Sequence, residues 1–130
     1  MKGALLVVIA LVLLSLMPIP VVKAEGSYYW VKTYGGSGTD VINDVKLLDD
    51  GSVIAVGYTN SYGYDAGDYD VFVMKLSPNG KVEWAKTYGG SGDDRASAVA
   101  IAPNGDIIVT GTGLLRLGPD GELKWAVELG

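Results

Sequence analysis

Trp30–Asp40 reads WVKTYGGSGTD, and 54 residues further on Trp84–Asp94 reads WAKTYGGSGDD. A third copy opens at Trp125 as WAVELG. A chain that writes one segment again at a fixed place in a longer period is built from repeated supersecondary units, and any fold assigned to it must be a repeat architecture. The units run over residues 30–83 and 84–130, and the second reaches its closing Trp 13 residues sooner than the first.

Each unit carries the same order of signals. In the first, β-rich runs are expected at Val41–Leu48, Ser52–Thr59, Val71–Leu76 and Lys81–Tyr88. In the second they fall at Ser97–Ala102, Asp106–Thr112, Leu114–Leu117 and Glu122–Leu129. The joints are Asp49-Asp50-Gly51, Pro78-Asn79-Gly80, Pro103-Asn104-Gly105 and Pro119-Asp120-Gly121. Proline presets φ near −65°, Asn or Asp tolerates the next position, and Gly takes the positive φ that closes a hairpin. Antiparallel hairpins follow. Along Ser52–Thr59 the residues are apolar on both faces, Val53, Ala55 and Gly57 on one and Ile54, Val56 and Tyr58 on the other. A sheet apolar on both faces has to lie between layers. Four-stranded units stacked face to face are propeller-type blades. A solenoid is the alternative, but its units are shorter and lack hairpin turns. No segment after residue 27 shows helical spacing of apolar residues.

The runs GGSGDD and SAVAIAPNGDIIVTGT over Gly89–Thr112, and DVFVMKLSPNG over Asp70–Gly80 followed by Trp84, resemble the SBBP-type β-propeller repeats of exported bacterial and archaeal proteins. The resemblance covers essentially all of the chain after its leader. It implies an all-β propeller fold presented outside the cell, and it carries over no catalytic motif. Two features depart from the pattern. There are two blades where a ring needs several, and the second unit lacks the loop between its second and third strands.

Two blades cannot bury their end faces on each other, so each end is expected to expose Val, Ile, Leu and Trp. Tyr28–Tyr34 (YYWVKTY) matches the fourth strand of a blade whose first three strands are not in the sequence, an extra N-terminal strand. Two readings stand: copies of the chain, or another propeller segment, complete a ring, or the chain is a fragment of a longer propeller.

Met1–Ala24 has Lys2, an apolar run over Ala4–Met17 and a small-residue Val22-Lys23-Ala24 site, the plan of a signal peptide. An uncleaved membrane anchor over residues 4–22 is the alternative, although Pro18 and Pro20 interrupt the run and it is short for a span. The protein is therefore expected outside the cell, or held at the membrane by that segment. Removal of Lys2 and Lys23 takes the formal net charge from −5 to −7. Such a chain repels polyanions, so nucleic acid is excluded as a default partner. The sequence has no Cys and no His, which removes disulfides, thiolate chemistry, the usual zinc ligand sets and histidine-based catalysis.

In blade geometry the loop from fourth to first strand and the loop from second to third strand share one end. That end gathers Gly35–Asp40, Gly89–Asp94 and Asn60–Asp70. The candidate binding face is Tyr58, Tyr62, Tyr64, Asp65, Asp68, Tyr69, Asp40 and Asp94, for a protein or carbohydrate ligand. A solvated connection whose Tyr rings cover the blade edge is the plainer reading. Asp65, Asp68 and Asp70 lack the calcium-loop pattern in which Gly follows the third ligand, so no metal is assigned. The Gly-Gly-Ser-Gly loops lack a following helix and a Lys-Ser/Thr pair, so no phosphate site or cofactor is assigned. Asp40 and Asp94 hold equivalent positions in the two units and are expected to bond loop amides. Trp30, Trp84 and Trp125 recur in one register and are expected between blades. The sequence thus points to an exported two-blade, partial β-propeller with a binding or scaffolding role. The rival from another class is a carbohydrate-active enzyme using carboxylates in a completed ring.

Overall fold

The structure, a computed structural model, describes residues 34–62 and 68–128. The leader, Trp30, Tyr64, Asp65 and all of the extra N-terminal strand except Tyr34 lie outside the described residues. Among the described residues the fold is all-β: eight strands form two four-stranded antiparallel sheets. The first blade contains β1 (Asp40–Leu47), β2 (Val53–Thr59), β3 (Asp70–Leu76) and β4 (Val82–Tyr88) in sequential order. The second contains β5 (Ala96–Ile101), β6 (Ile107–Gly111), β7 (Leu114–Leu117) and β8 (Leu123–Val127), again in order. Each strand matches its expected run to within a residue or two. β8 stops at Val127, and Glu128, at φ 65°, has already turned into the left-handed region.

The Gly turns behave as their composition requires. Gly51, Gly80, Gly105 and Gly121 all have φ between 86° and 89°. Each N–H donates to the carbonyl three residues back, Gly51 to Leu48 and Gly105 to Ala102 among them. The residue before each Gly then secures the exit. Asp50, Asn79, Asn104 and Asp120 accept, through Oδ1, the N–H of Ser52, Lys81, Asp106 and Glu122 at 2.9–3.2 Å. A type I turn followed by Gly in the left-handed region is the hairpin geometry that matches strand twist. The second unit replaces the long loop with Thr112-Gly113, where Gly111 N–H donates to Gly113 O.

The blades stack face to face. Alternation along the strands sends Ile54, Val56, Val71 and Val73 toward the second blade, where they meet Ala96, Val99, Ile107, Val109, Leu115 and Leu117 in one cluster. Burying a Leu, Ile or Val side chain of this kind stabilises by about 1.5–3 kcal/mol. The sheets approach most closely along β1, β2 and β5. A bulge in β1 between Ile42 and Asp44 turns two polar side chains across this seam. Asn43 Nδ2 donates to Ala96 O at 2.7 Å, and Asp44 Oδ2 accepts from Val99 N–H at 3.0 Å. Toward the outer strands the gap is bridged by aromatics. Tyr88 donates its hydroxyl to Gly121 O, and the Trp84 ring lies over Gly121. Burial, with the charge of Asp120 in second place, pushes the Tyr88 hydroxyl up to about 12.

Tyr34 repeats this contact one blade earlier, donating to Gly80 O. Tyr34 and Tyr88 are equivalent in the two repeats, as are Gly80 and Gly121. The residue closing the extra N-terminal strand thus stands where a preceding blade would place it. The far face of the first blade meets the expectation in part: Val53, Ala55, Met74 and Leu76 are buried, with Tyr34, Ile42, Val45 and Phe72 packed against them, while Leu47 and Val82 on the same face are 42% and 40% exposed. The far face of the second blade meets the expectation, and there the assignment of Trp125 is corrected. Trp125 is 43% exposed, covered by no further sheet among the described residues, whereas Trp84 packs between blades.

Candidate functional site

The loop end is held together by side chains standing in for strand partners. Asp40 Oδ2 accepts Gly36 N–H at 3.0 Å and the Ser61 hydroxyl at 2.9 Å, and Asp40 Oδ1 accepts the Thr59 hydroxyl. Asp94 Oδ2 accepts Gly90 N–H at 3.2 Å, the same bond in the second copy of the motif. Both Asp residues therefore bond the amide four residues back in their Gly-rich loop, as their equivalence required. The long loop is drawn in by Gly38 N–H donating to Ser61 Oγ at 2.8 Å and Thr39 N–H to Asn60 Oδ1 at 2.6 Å. On the inter-blade side Asp94 N–H donates to Tyr69 O at 2.7 Å. The three loops do share one end.

On this end the rings of Tyr58 and Tyr69 meet edge to face, with centroids 5.0 Å apart. The Arg95 guanidinium lies over both, 4.7 Å from one centroid and 4.3 Å from the other. Arg95 also pairs with Asp93 at 3.1 Å. Its main chain is pinned to the Thr112 turn, donating to Thr112 Oγ1 at 2.8 Å and accepting Thr112 N–H at 2.9 Å. Arg95 opens the second blade, while Tyr58 and Tyr69 flank the long loop of the first, so the cluster spans the joint between blades. A planar cation over two aromatic faces is worth about 0.5–1 kcal/mol per contact at an exposed site.

Of the candidate residues, the structure therefore unites Tyr58 and Tyr69. Tyr62 is exposed on the opposite side of the same end, against Gly36, and Asp68 is exposed nearby. Asp40 is half-buried and Asp94 fully buried, so both shape the loops from beneath rather than presenting a surface. Asp70 is also buried, and its carboxylate shares the space beside Gly89 with that of Asp94. Arg95 and Asp93 were missed in the sequence. The available signal was a break in the repeat, since Arg95 stands where the first unit has Val41.

A cavity of about 500 Å³ lies under Tyr34 and Tyr62, floored by Phe72, Met74, Ala85 and Thr87. A second, of about 420 Å³, opens between the blades beside Lys46, Leu48, Ala100 and Ile101. Among the described residues, neither is lined by two carboxylates. Among the described residues no three Asp or Glu side chains converge as metal ligands would.

One ion cluster lies away from the loop end. Asp106 is 1% exposed and accepts Arg116 Nε at 2.8 Å and Lys124 Nζ at 2.8 Å. The first blade has Ser52, Lys75 and Glu83 at these positions, with Lys75 and Glu83 paired at 3.5 Å. The Lys124 bond, then the Arg116 bond, holds the Asp106 carboxyl down to about 2. A carboxyl depressed in the folded state contributes stability above its ordinary range near pH 4 and loses it as pH falls toward 2. The melting temperature of Asp106→Asn is expected to lie below that of the wild type at pH 6, with the difference shrinking by pH 2. A constant difference would assign the loss to packing alone.

No family model matches the chain, and no curated protein matches it.

Proposed function

We propose that the chain is an exported β-propeller-type repeat protein that binds a protein partner through the loop end, with Arg95, Tyr58 and Tyr69 as the centre of the contact. The observation that carries this reading is the cluster itself. A cation is laid over two tyrosines at the joint of the blades, half-exposed, with its backbone pinned on both sides. Tyr and Arg are the residues that most often dominate protein interfaces, because a rigid amphipathic group gives contact area at low entropic cost. The signal-type leader and the resemblance to SBBP-type repeats support export and the propeller class. Carbohydrate is the less favoured ligand, since Arg95 covers the Tyr58 and Tyr69 faces on which a sugar ring would stack.

The test uses the exposed Tyr62 as a reporter. A photo-crosslinking amino acid placed there is expected to give a discrete adduct with one protein in the expressing cell. Arg95→Ala and Tyr69→Ala are expected to reduce that adduct at least tenfold while the far-UV circular dichroism of the folded protein is unchanged, the pattern of residues whose main role is in contact. No adduct, or one indifferent to both substitutions, sinks the reading.

A further inference from the structure

We infer that Asp93 is a positioning residue for the contact face: it fixes the direction of the Arg95 guanidinium and leaves one edge of that group open to the partner. The use of that edge rests on the binding reading above; the positioning rests on geometry alone. Asp93 Oδ1 lies 3.4 Å from Arg95 Nε, and Asp93 Oδ2 lies 3.1 Å from Arg95 Nη2. Two contacts between a planar fork and a planar carboxylate set a rotation as well as a distance. The tyrosines cannot do this. Their rings meet at 87°, so the guanidinium plane lies flat on one of them at most. Contacts of 4.7 Å and 4.3 Å to the two centroids hold the cation in place and leave its rotation free. Once Asp93 takes the Nε side, the N–H groups of Nη1 and the second N–H of Nη2 have no acceptor among the described residues. They form the open edge.

The repeat separates this role from that of the loop. Gly35–Val41 and Gly89–Arg95 are identical at five of seven positions, and the two that differ are Thr39 against Asp93 and Val41 against Arg95. These two departures are each other's partners in the second unit. The tyrosines under them are departures too. The second unit has Thr112 at the place of Tyr58, and its shortened loop leaves no counterpart of Tyr69. Four positions at which the units diverge thus meet at one point, the joint of the blades.

Closing the Gly-rich loop does not require Asp93. Asp94 performs that task by accepting Gly90 N–H, as Asp40 does in the first unit with Thr39 beside it. Nor does stability account for the pair. Its side chains are 42% and 52% exposed, and an ion pair so placed contributes little to folding. What the pair supplies is order before binding. A guanidinium already aimed loses less freedom when the partner arrives.

The experiment combines nitrogen NMR of the side chain with the crosslinker at Tyr62. The sequence holds two arginines, Arg95 and Arg116, so Arg95→Lys assigns the signals. The test variant is Asp93→Thr, which installs the residue that the first unit carries in the same loop. Rotation about the Arg95 Nε–Cζ bond is expected to become at least fivefold faster in Asp93→Thr, with far-UV circular dichroism unchanged. The adduct is expected to fall at least fivefold, with Asp93→Asn, which keeps one acceptor oxygen, in between. Added to Arg95→Ala, Asp93→Thr is expected to cause no further fall, since it acts through Arg95. Rotation that Asp93→Thr leaves unchanged overturns the inference, and so does an adduct that it leaves intact. A further fall in the Arg95→Ala background overturns it as well, because Asp93 would then touch the partner itself. No adduct from the wild type sinks the binding reading, while the rotation rates, which need no partner, still decide the positioning.

Discussion

Gly57→Ala and Gly111→Ala are each expected to cost at least about 3 kcal/mol, beyond the usual range of one added methyl because the obstruction is backbone. These glycines are equivalent in the two repeats, and neither is needed for positive φ. A methyl on Gly57 would fall far inside contact distance of the Val41 carbonyl oxygen, and one on Gly111 would meet the Arg95 carbonyl oxygen in the same way. Both conflicts arise beside a bulge, at Ile42/Asp44 in β1 and Ala96/Ala98 in β5, where the first strand of each blade leans onto the second. A glycine inside a strand commonly marks such close approach of another backbone. The strand cannot yield in the first blade without withdrawing Asn43 and Asp44 from Ala96 and Val99. Urea unfolding of the two variants checks the expectation. Gly118→Ala serves as control, because its nearest obstacle is the movable Asp120 side chain at 3.1 Å. If Gly57→Ala matches the control, the bulge is not rigid and the seam is not the origin of the constraint.

Trp84→Ala is expected to destabilise by about 2–3 kcal/mol, less than the 3–5 typical of a fully buried aromatic because Trp84 is half-buried. It packs against the shared core, covers Gly121, and has Lys86 Nζ 5.9 Å from its ring. Trp125→Ala removes the same residue from the same register of the next unit. It is expected to change the stability of a single chain by no more than about 0.5 kcal/mol, as at other exposed positions. Urea unfolding measures the two on equal terms. Equal effects would mean that the Trp positions act within their own sheets rather than between blades.

The strands were legible because local rules fixed them. Four Gly turns with Asn or Asp before each Gly define the hairpins, and their geometry depends on four or five consecutive residues. Asp40 and Asp94 were legible for a related reason: a residue that occupies one place in two repeats serves the repeat, and both bond the amide four residues back. The Arg95 cluster was not legible. It joins residues 58, 69 and 95 across two sheets, and nothing local to Arg95 distinguishes it from a solvated charge. The seam formed by Asn43 and Asp44 was hidden for the same reason, since it depends on a bulge that sequence alternation does not reveal.

The sequence by itself determined an all-β chain of two four-stranded units, the turns that join the strands, the two-sided apolar character of the sheets and the end at which the loops gather. All of these follow from periodicity and short-range backbone preference, which act within a few residues. Only the tertiary structure decided how the units meet: which face of each sheet packs on the other, that Tyr34 donates to Gly80 while Trp125 stands in the open, and that Arg95 settles over Tyr58 and Tyr69. Those outcomes depend on distances between residues remote in the chain, and the repeat alone treats Trp84 and Trp125 as the same residue. Stacking makes them different, because among the described residues one has a blade to cover it and the other does not.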